Sequence, residues 1–245
     1  MSTSPILSVR GLVKRFRGLI ATNDVHFDVA PQSITSIIGP NGAGKSTLFN
    51  LLTGYFAPDR GEVWFMGHRI DSLPTHRIAA LGVARAFQIA RPFRELSVLE
   101  NVRVGALFGR SGERDVEQVT QRALLLSGLE PIAHQRAGEL TVGQLRRLEI
   151  GRAIATRASL LLADEPCAGL NPKETAELIE VLRVIRTEGV TVLLVEHDMP
   201  SVMEVSDHIV VLEAGRKIAE GPPSHIANDP RVIEAYLGSD EGLTA

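Results

Sequence analysis

Cysteine is almost absent from this chain: Cys167 stands alone among 245 residues, which excludes an internal disulfide framework and a cysteine-ligated metal cluster. Its small neighbours Ala168 and Gly169 mark it as a packed, structural residue. Aromatics are scarce, with eight Phe, two Tyr and one Trp, and 26 basic against 29 acidic side chains leave a net charge of −3. A nucleic-acid binder ordinarily carries a basic surplus and stacking aromatics, so that class is disfavoured. No apolar run approaches the roughly 18–20 residues that a membrane-spanning helix needs. Met1-Ser2-Thr3-Ser4-Pro5 also lacks the charged and apolar blocks of a secretory signal, so the expectation is a soluble, cytosolic chain. The 44% apolar fraction is not scarce; it supports a proper core in one large domain or two small ones and excludes disorder for most of the length.

Two β-like runs, Ile6 to Lys14 and Asp24 to Val29, flank a basic, glycine-containing turn at Arg15 to Gly18 and predict an antiparallel pair. Ile34 to Ile38 is continuously apolar or β-branched, the pattern of a strand buried on both faces. Similar runs recur at Leu160 to Ala163 and Val190 to Val195. Between them Leu178, Leu182 and Ile185 fall at i, i+4, i+7, a helical spacing. Strand, helix and strand in alternation predict an α/β domain with a largely parallel central sheet. From about Arg91 to Ala158 strand signals vanish. Val116, Val119, Ala123 and Leu126 predict one helical face there, and Leu145, Leu148, Ile150 and Ile154 another. A short hairpin around Ala214-Gly215 follows, then helical segments to Tyr236, with a frayed tail expected after Gly238.

The turn after the first buried strand reads Gly39-Pro40-Asn41-Gly42-Ala43-Gly44-Lys45-Ser46-Thr47 and satisfies G-x-x-x-x-G-K-[ST], a phosphate-binding loop. Glycines let backbone N–H groups converge on phosphates, the following helix presents its positive end, Lys45 reaches the β and γ phosphates, and the Ser46 hydroxyl is a ligand for Mg²⁺. Asp164 and Glu165 leave the C-terminal edge of the second buried strand, where α/β sheets place ligands. One acid suits Mg²⁺, the other the attacking water. His197, at the end of the third buried strand, is placed to contact the γ-phosphate. Gln88, closing the run Val83 to Phe87, has an amide suited to both Mg²⁺ and water.

In this order the residues resemble the ATPase subunit of ABC transporters over almost the whole chain: phosphate loop, glutamine loop at Gln88, signature loop, Asp164 and Glu165, D-loop, and switch histidine at His197. The resemblance implies a P-loop NTPase fold with a mostly parallel central sheet, an N-terminal antiparallel β subdomain and a helical subdomain at about 89–158, all within a single domain of residues 1–245. It also implies ATP and Mg²⁺ as cofactors, adenine stacking on Phe16, and nucleotide contacts from Thr141, Gly143 and Gln144. Ala84 to Gln88, Arg91 to Glu95, Ser97 to Val102, Ala168 to Pro172, Glu196 to Met199 and Val232 to Gly238 are similar to the branched-chain amino-acid importers in particular.

Such a subunit pairs head to tail with a second copy or a sister ATPase. It docks on two membrane permease subunits at the cytoplasmic face of the membrane and works with a periplasmic or extracellular solute-binding protein; no nucleic acid is involved. Two departures stand out. Leu140-Thr141-Val142-Gly143-Gln144 replaces Leu-Ser-Gly-Gly-Gln, with a β-branched residue where glycine lets backbone approach phosphate, and Asn171 replaces the D-loop acid. They leave open a rival reading, a nucleotide-gated regulatory module of the same fold with weak or no hydrolysis. A DNA-repair ATPase lacks support because no long coiled coil or second ATPase unit occurs, and a GTPase because no Asn-Lys-x-Asp motif occurs.

Overall fold

Strands β1 (Leu7–Phe16) and β2 (Leu19–Val29) pair antiparallel, Leu7 opposite Val29 and Phe16 opposite Leu19, as the two β-like runs predict. The computed structural model describes residues 4–87, 91–110 and 116–240. The chain divides into two units, residues 1–75 with 193–245 and residues 76–192. In the first unit, β3 (Ile34–Ile38) is buried along its whole length and leads through a loop into α1 (Lys45–Leu52). Next come β4 (Arg60–Phe65) and β5 (His68–Arg69). The order β2-β1-β4-β5 makes a four-stranded antiparallel sheet. Leu7, Val9 and Leu12 of β1 turn one apolar face into the core; the step from Val9 to Leu12 crosses a register shift that bends the strand.

The second unit starts within α2 (Thr75–Leu81) and continues through β6 (Val83–Ala86). Helices α3 (Val98–Phe108), α4 (Val116–Leu126) and α5 (Val142–Ala155) follow, so the middle is helical as its lost strand signal predicts. The connection before α3 is held by Asn101, fully buried, whose amide donates to the Phe93 and Leu96 carbonyls and accepts from the Phe93 N–H. In α5, Leu148, Ile150 and Ile154 are buried as predicted. In α4 the buried residues are Thr120, Ala123 and Leu124, so only Ala123 of the predicted face is fully covered. Thr120 tolerates burial because its hydroxyl donates to the Val116 carbonyl at 2.7 Å. Then β7 (Leu160–Asp164), α6 (Pro172–Thr187) and β8 (Thr191–Val195) complete the alternation. Leu178, Leu182 and Ile185 form the buried face of α6 together with Ile179 and Val181.

The residues of β8 are shared between the two units. In the second unit the strand order is β8-β7-β6, with β6 and β7 parallel. The first unit resumes with α7 (Met199–Val205), β9 (His208–Glu213), β10 (Arg216–Gly221), α8 (Pro223–Ile226) and α9 (Pro230–Asp240). Its order is β10-β9-β3-β8, with β3 and β9 parallel and the β9–β10 hairpin antiparallel. Both turn residues of that hairpin have positive φ, Ala214 at 44° and Gly215 at 77°, the primed geometry whose twist matches the strands. Helix α9 ends two residues beyond Gly238. Its Val232 is buried with Ile38, Val202, Ile209, Val211 and Ile226, which seats the C-terminal helix beneath the end of β3.

Candidate active site

Strand β3 delivers the phosphate loop, and two of its glycines are dictated by close approach. A Cβ at Gly39 would lie 2.0 Å from the Leu212 carbonyl oxygen, and one at Gly44 would lie 2.3 Å from that of Ala21. Gly44 also has φ 102°, outside the range of an L side chain. Lys45 is 7% exposed, and its ammonium spans the loop, donating to the Gly39 carbonyl at 2.6 Å and the Pro40 carbonyl at 3.1 Å. Asn41, Gly42 and Ser46 are exposed, Ala43 is buried, and Pro40 and Thr47 are half-buried. Helix α1 opens on Gly44 with no side-chain cap and no acid in its first turn. The positive end of the helix dipole is therefore not offset by an acid of its own first turn, the environment an anion needs.

The same unit holds Phe16 and His197. Phe16 closes β1 and meets Phe56 edge-to-face at 5.0 Å, with the Lys14 ammonium 5.6 Å from its ring centroid. His197 follows β8 with its side chain 59% exposed, next to the fully buried Glu196, whose carboxylate lies 3.9 Å from Nδ1. Asp198 caps α7, accepting from the Ser201 N–H at 3.0 Å, so the chain turns sharply just after the histidine. Tyr236 of α9 packs against the cluster that contains Ile38. Burial pushes its phenol above the usual range.

In the second unit Asp164 ends β7 and is 8% exposed. Arg85 of β6 pairs with it, both side chains nearly covered. Sequence reasoning passed over Arg85; the available signal was a lone charge inside the short strand Val83-Ala84-Arg85-Ala86. Glu165 has φ 47°, a left-handed conformation that costs a non-glycine residue about 1 kcal/mol or more and clusters at functional sites. Gln88 lies outside the described residues. Beyond it, the Arg91 N–H donates to the Glu149 carboxylate at 3.2 Å, and Arg152 donates to the Arg91 carbonyl at 3.0 Å.

The signature residues form the start of α5. The Thr141 hydroxyl accepts from the Gln144 N–H at 3.3 Å and the Gln144 side chain accepts from the Thr141 N–H at 2.9 Å, a complete capping box. Val142 is the first helical residue, half exposed and without a positive φ. Its backbone is one that any L residue adopts, so the departure from glycine imposes no conformational strain here. Asn171 builds a second capping box with Glu174 at the start of α6, where Pro172 fits the first turn. The Glu174 carboxylate lies close over Gly143, 3.0 Å from where a Cβ would sit. Thr141, Gly143, Gln144, Asn171 and Glu174 thereby line one polar cleft of about 380 Å³.

Residues 22–168 match the family model described as "ABC transporter". The high-affinity branched-chain amino acid transport ATP-binding protein BraF of Pseudomonas aeruginosa is 46% identical over 96% of this chain and 98% of its own length. This chain belongs to the ABC transporter family. LivG of Escherichia coli K12, a protein with the same description, is 44% identical over 96% of this chain and 99% of its own. Residues 216–242 of this ABC protein match a second model, "Branched-chain amino acid ATP-binding cassette transporter"; that stretch spans β10, α8 and α9. A solved ATP-binding cassette of an ABC transporter in its ADP conformation shares 33% identity at a TM-score of 0.86, covering 96% of this chain and all of that one. A nucleotide-free cassette shares 32% at 0.84. The P-loop fold with its antiparallel N-terminal sheet and mostly parallel central sheet is that of ABC ATPases.

Proposed function

We propose that this chain is the ATP-hydrolysing subunit of an importer for branched-chain amino acids or a related small polar solute. The observation that carries the reading is the Gly39–Thr47 loop leading into an uncapped helix. The C-terminal match to the branched-chain model supports the choice of branch. Gly39, Pro40, Asn41, Gly42, Ala43 and Gly44 wrap the phosphates with main-chain N–H groups, Lys45 pairs with the β and γ phosphates, and Thr47 continues the cradle. Phe16 carries the adenine. Glu165 orients and deprotonates the attacking water, and His197 contacts the γ-phosphate. Thr141, Gly143 and Gln144 serve the nucleotide held by the opposite member of a head-to-tail pair, either a second copy or a sister ATPase.

The donor chemistry fits Mg²⁺: the Ser46 hydroxyl, the Gln88 amide oxygen and the Asp164 carboxylate are the hard oxygens that ion selects. When bound, it neutralises charge on the β and γ phosphates. Residues 1–245 act as a single ATPase domain with a helical part at about 89–158, and two permease subunits dock against the region from Gln88 to about Glu139. Among the described residues no helix is long and apolar enough to cross a membrane; attachment to the cytoplasmic face is through those permeases, and a solute-binding protein delivers the cargo.

Calorimetry with ATP and turnover with Mg²⁺ test the chemistry. Lys45→Ala should lose about a hundredfold or more in ATP affinity, because the loop's cation is removed. Glu165→Gln should bind ATP as the parent does and hydrolyse it about a hundredfold more slowly, since an amide cannot act as a base. Undiminished ATP binding by Lys45→Ala would defeat the loop assignment, and undiminished turnover by Glu165→Gln would defeat that of the acid. Isolating the assembled complex and testing its binding protein against branched-chain amino acids and small amides identifies the solute.

A further inference from the structure

Asp164 carries its own counter-cation. Strands β6 and β7 run parallel with Arg85 opposite Leu162 and Ala86 opposite Ala163, so the guanidinium reaches the end of β7 and bonds the Asp164 carboxylate. The two side chains are 11% and 10% exposed, so the pair is hidden from most screening by salt. The face of the guanidinium is held by Phe87, whose ring centroid is 4.9 Å from Cζ. Arginine keeps its charge at any working pH. A fixed positive charge on this carboxylate opposes the arrival of a second cation, and the low local dielectric lengthens the reach of that opposition.

Taking Asp164 as the acid that faces Mg²⁺, on which this inference rests, we propose that Arg85 is a positioning residue that weakens Mg²⁺ capture by Asp164. The ion then binds well only when nucleotide phosphates supply further negative charge, and Asp164 does not trap Mg²⁺ in advance of ATP. Phe87 takes part by keeping the guanidinium aimed at the carboxylate.

The test follows binding of a fluorescent ATP analogue to the full chain as Mg²⁺ is raised from micromolar to millimolar. In Arg85→Gln the half-saturating Mg²⁺ concentration should fall about fivefold, and in Arg85→Lys, which restores the charge, it should return close to the parent value. Analogue binding without Mg²⁺ should be unchanged in both, a pattern that a general loss of structure does not produce. In an Asp164→Asn background Arg85→Gln should leave the midpoint where Asp164→Asn alone puts it. If Arg85→Gln does not fold, the decision passes to Phe87→Ala, an exposed position where loosening the guanidinium should lower the midpoint about twofold. A midpoint unchanged or raised in the folded variants overturns the inference. Failure of the parent chain to bind the analogue at any Mg²⁺ concentration instead overturns the ATPase reading.

Discussion

Helix α1 and helices α5 and α6 begin in opposite ways. Helix α1 opens on a left-handed glycine with no side-chain acceptor for its first amides, whereas α5 and α6 open on Thr141 and Asn171, each closing a reciprocal box with a residue three positions on. Four N–H groups at any helix start need partners. Where side chains supply them, the helix end is finished by its own sequence. At α1 no side-chain cap supplies them, which is the arrangement the proposed phosphate-binding role requires. The difference also recasts the two departures from the family pattern: Thr141 keeps the capping oxygen that a serine would provide, and Asn171 caps α6 as an aspartate would.

Gly44→Ala is the strongest way to break this contrast, since it adds a Cβ 2.3 Å from the Ala21 carbonyl at φ 102°. Strain and overpacking together should cost about 3 kcal/mol, read in denaturant melts, and ATP binding should fall with it. Thr141→Ala and Asn171→Ala should each cost about 1 kcal/mol by removing one cap, with ATP binding to the monomer unchanged. If either costs as much as Gly44→Ala, the caps carry more than local helix ends. Val142→Gly should lower stability by about 0.5–1 kcal/mol. Because Val142 already has ordinary helical backbone, it should not strengthen ATP-driven pairing in a Glu165→Gln background, measured by sedimentation; clearly stronger pairing would show that the side chain itself obstructs the partner.

Helix α9 supplies the smallest test. Asp229 accepts from the Arg231 N–H at 2.9 Å and pairs with its guanidinium at 2.7 Å, and Arg231 foremost holds its carboxyl down at about 2. A lowered native value means that its stabilisation is complete above the ordinary aspartate range, near pH 4, and is lost as pH falls toward 2. Asp229→Asn should therefore flatten a small part of the acid dependence of thermal unfolding between pH 4 and 2 and change nothing at pH 7 beyond the pair's own contribution.

Local patterns were legible because their physics is local. The phosphate loop is nine consecutive residues, β3, β7 and β8 are unbroken apolar runs, and the buried face of α6 follows from helical spacing alone. The cap pairs Thr141 with Gln144 and Asn171 with Glu174 are equally local, three positions apart, although the sequence pattern draws attention to the charge that Asn171 lacks and not to the cap it forms. The buried face of α4 departs from its hydrophobic pattern for a different reason. Thr120 is polar in the sequence, and only the folded helix shows its hydroxyl satisfied by Val116.

By itself the sequence determined the buried strands β3, β7 and β8, the helix between the last two, the phosphate-loop motif and the acids at the end of β7, because each is written in hydrophobic period or in glycine and charge at fixed short spacing; β4 and β5 carried no such signal. Tertiary structure alone decided that Arg85 meets Asp164 across 79 positions, that Glu174 closes over Gly143, that Glu165 takes a left-handed backbone, and that Val232 packs in one cluster with Ile38. Those outcomes depend on strand register and helix packing, and two residues distant in sequence carry no local signal of the register that brings them together.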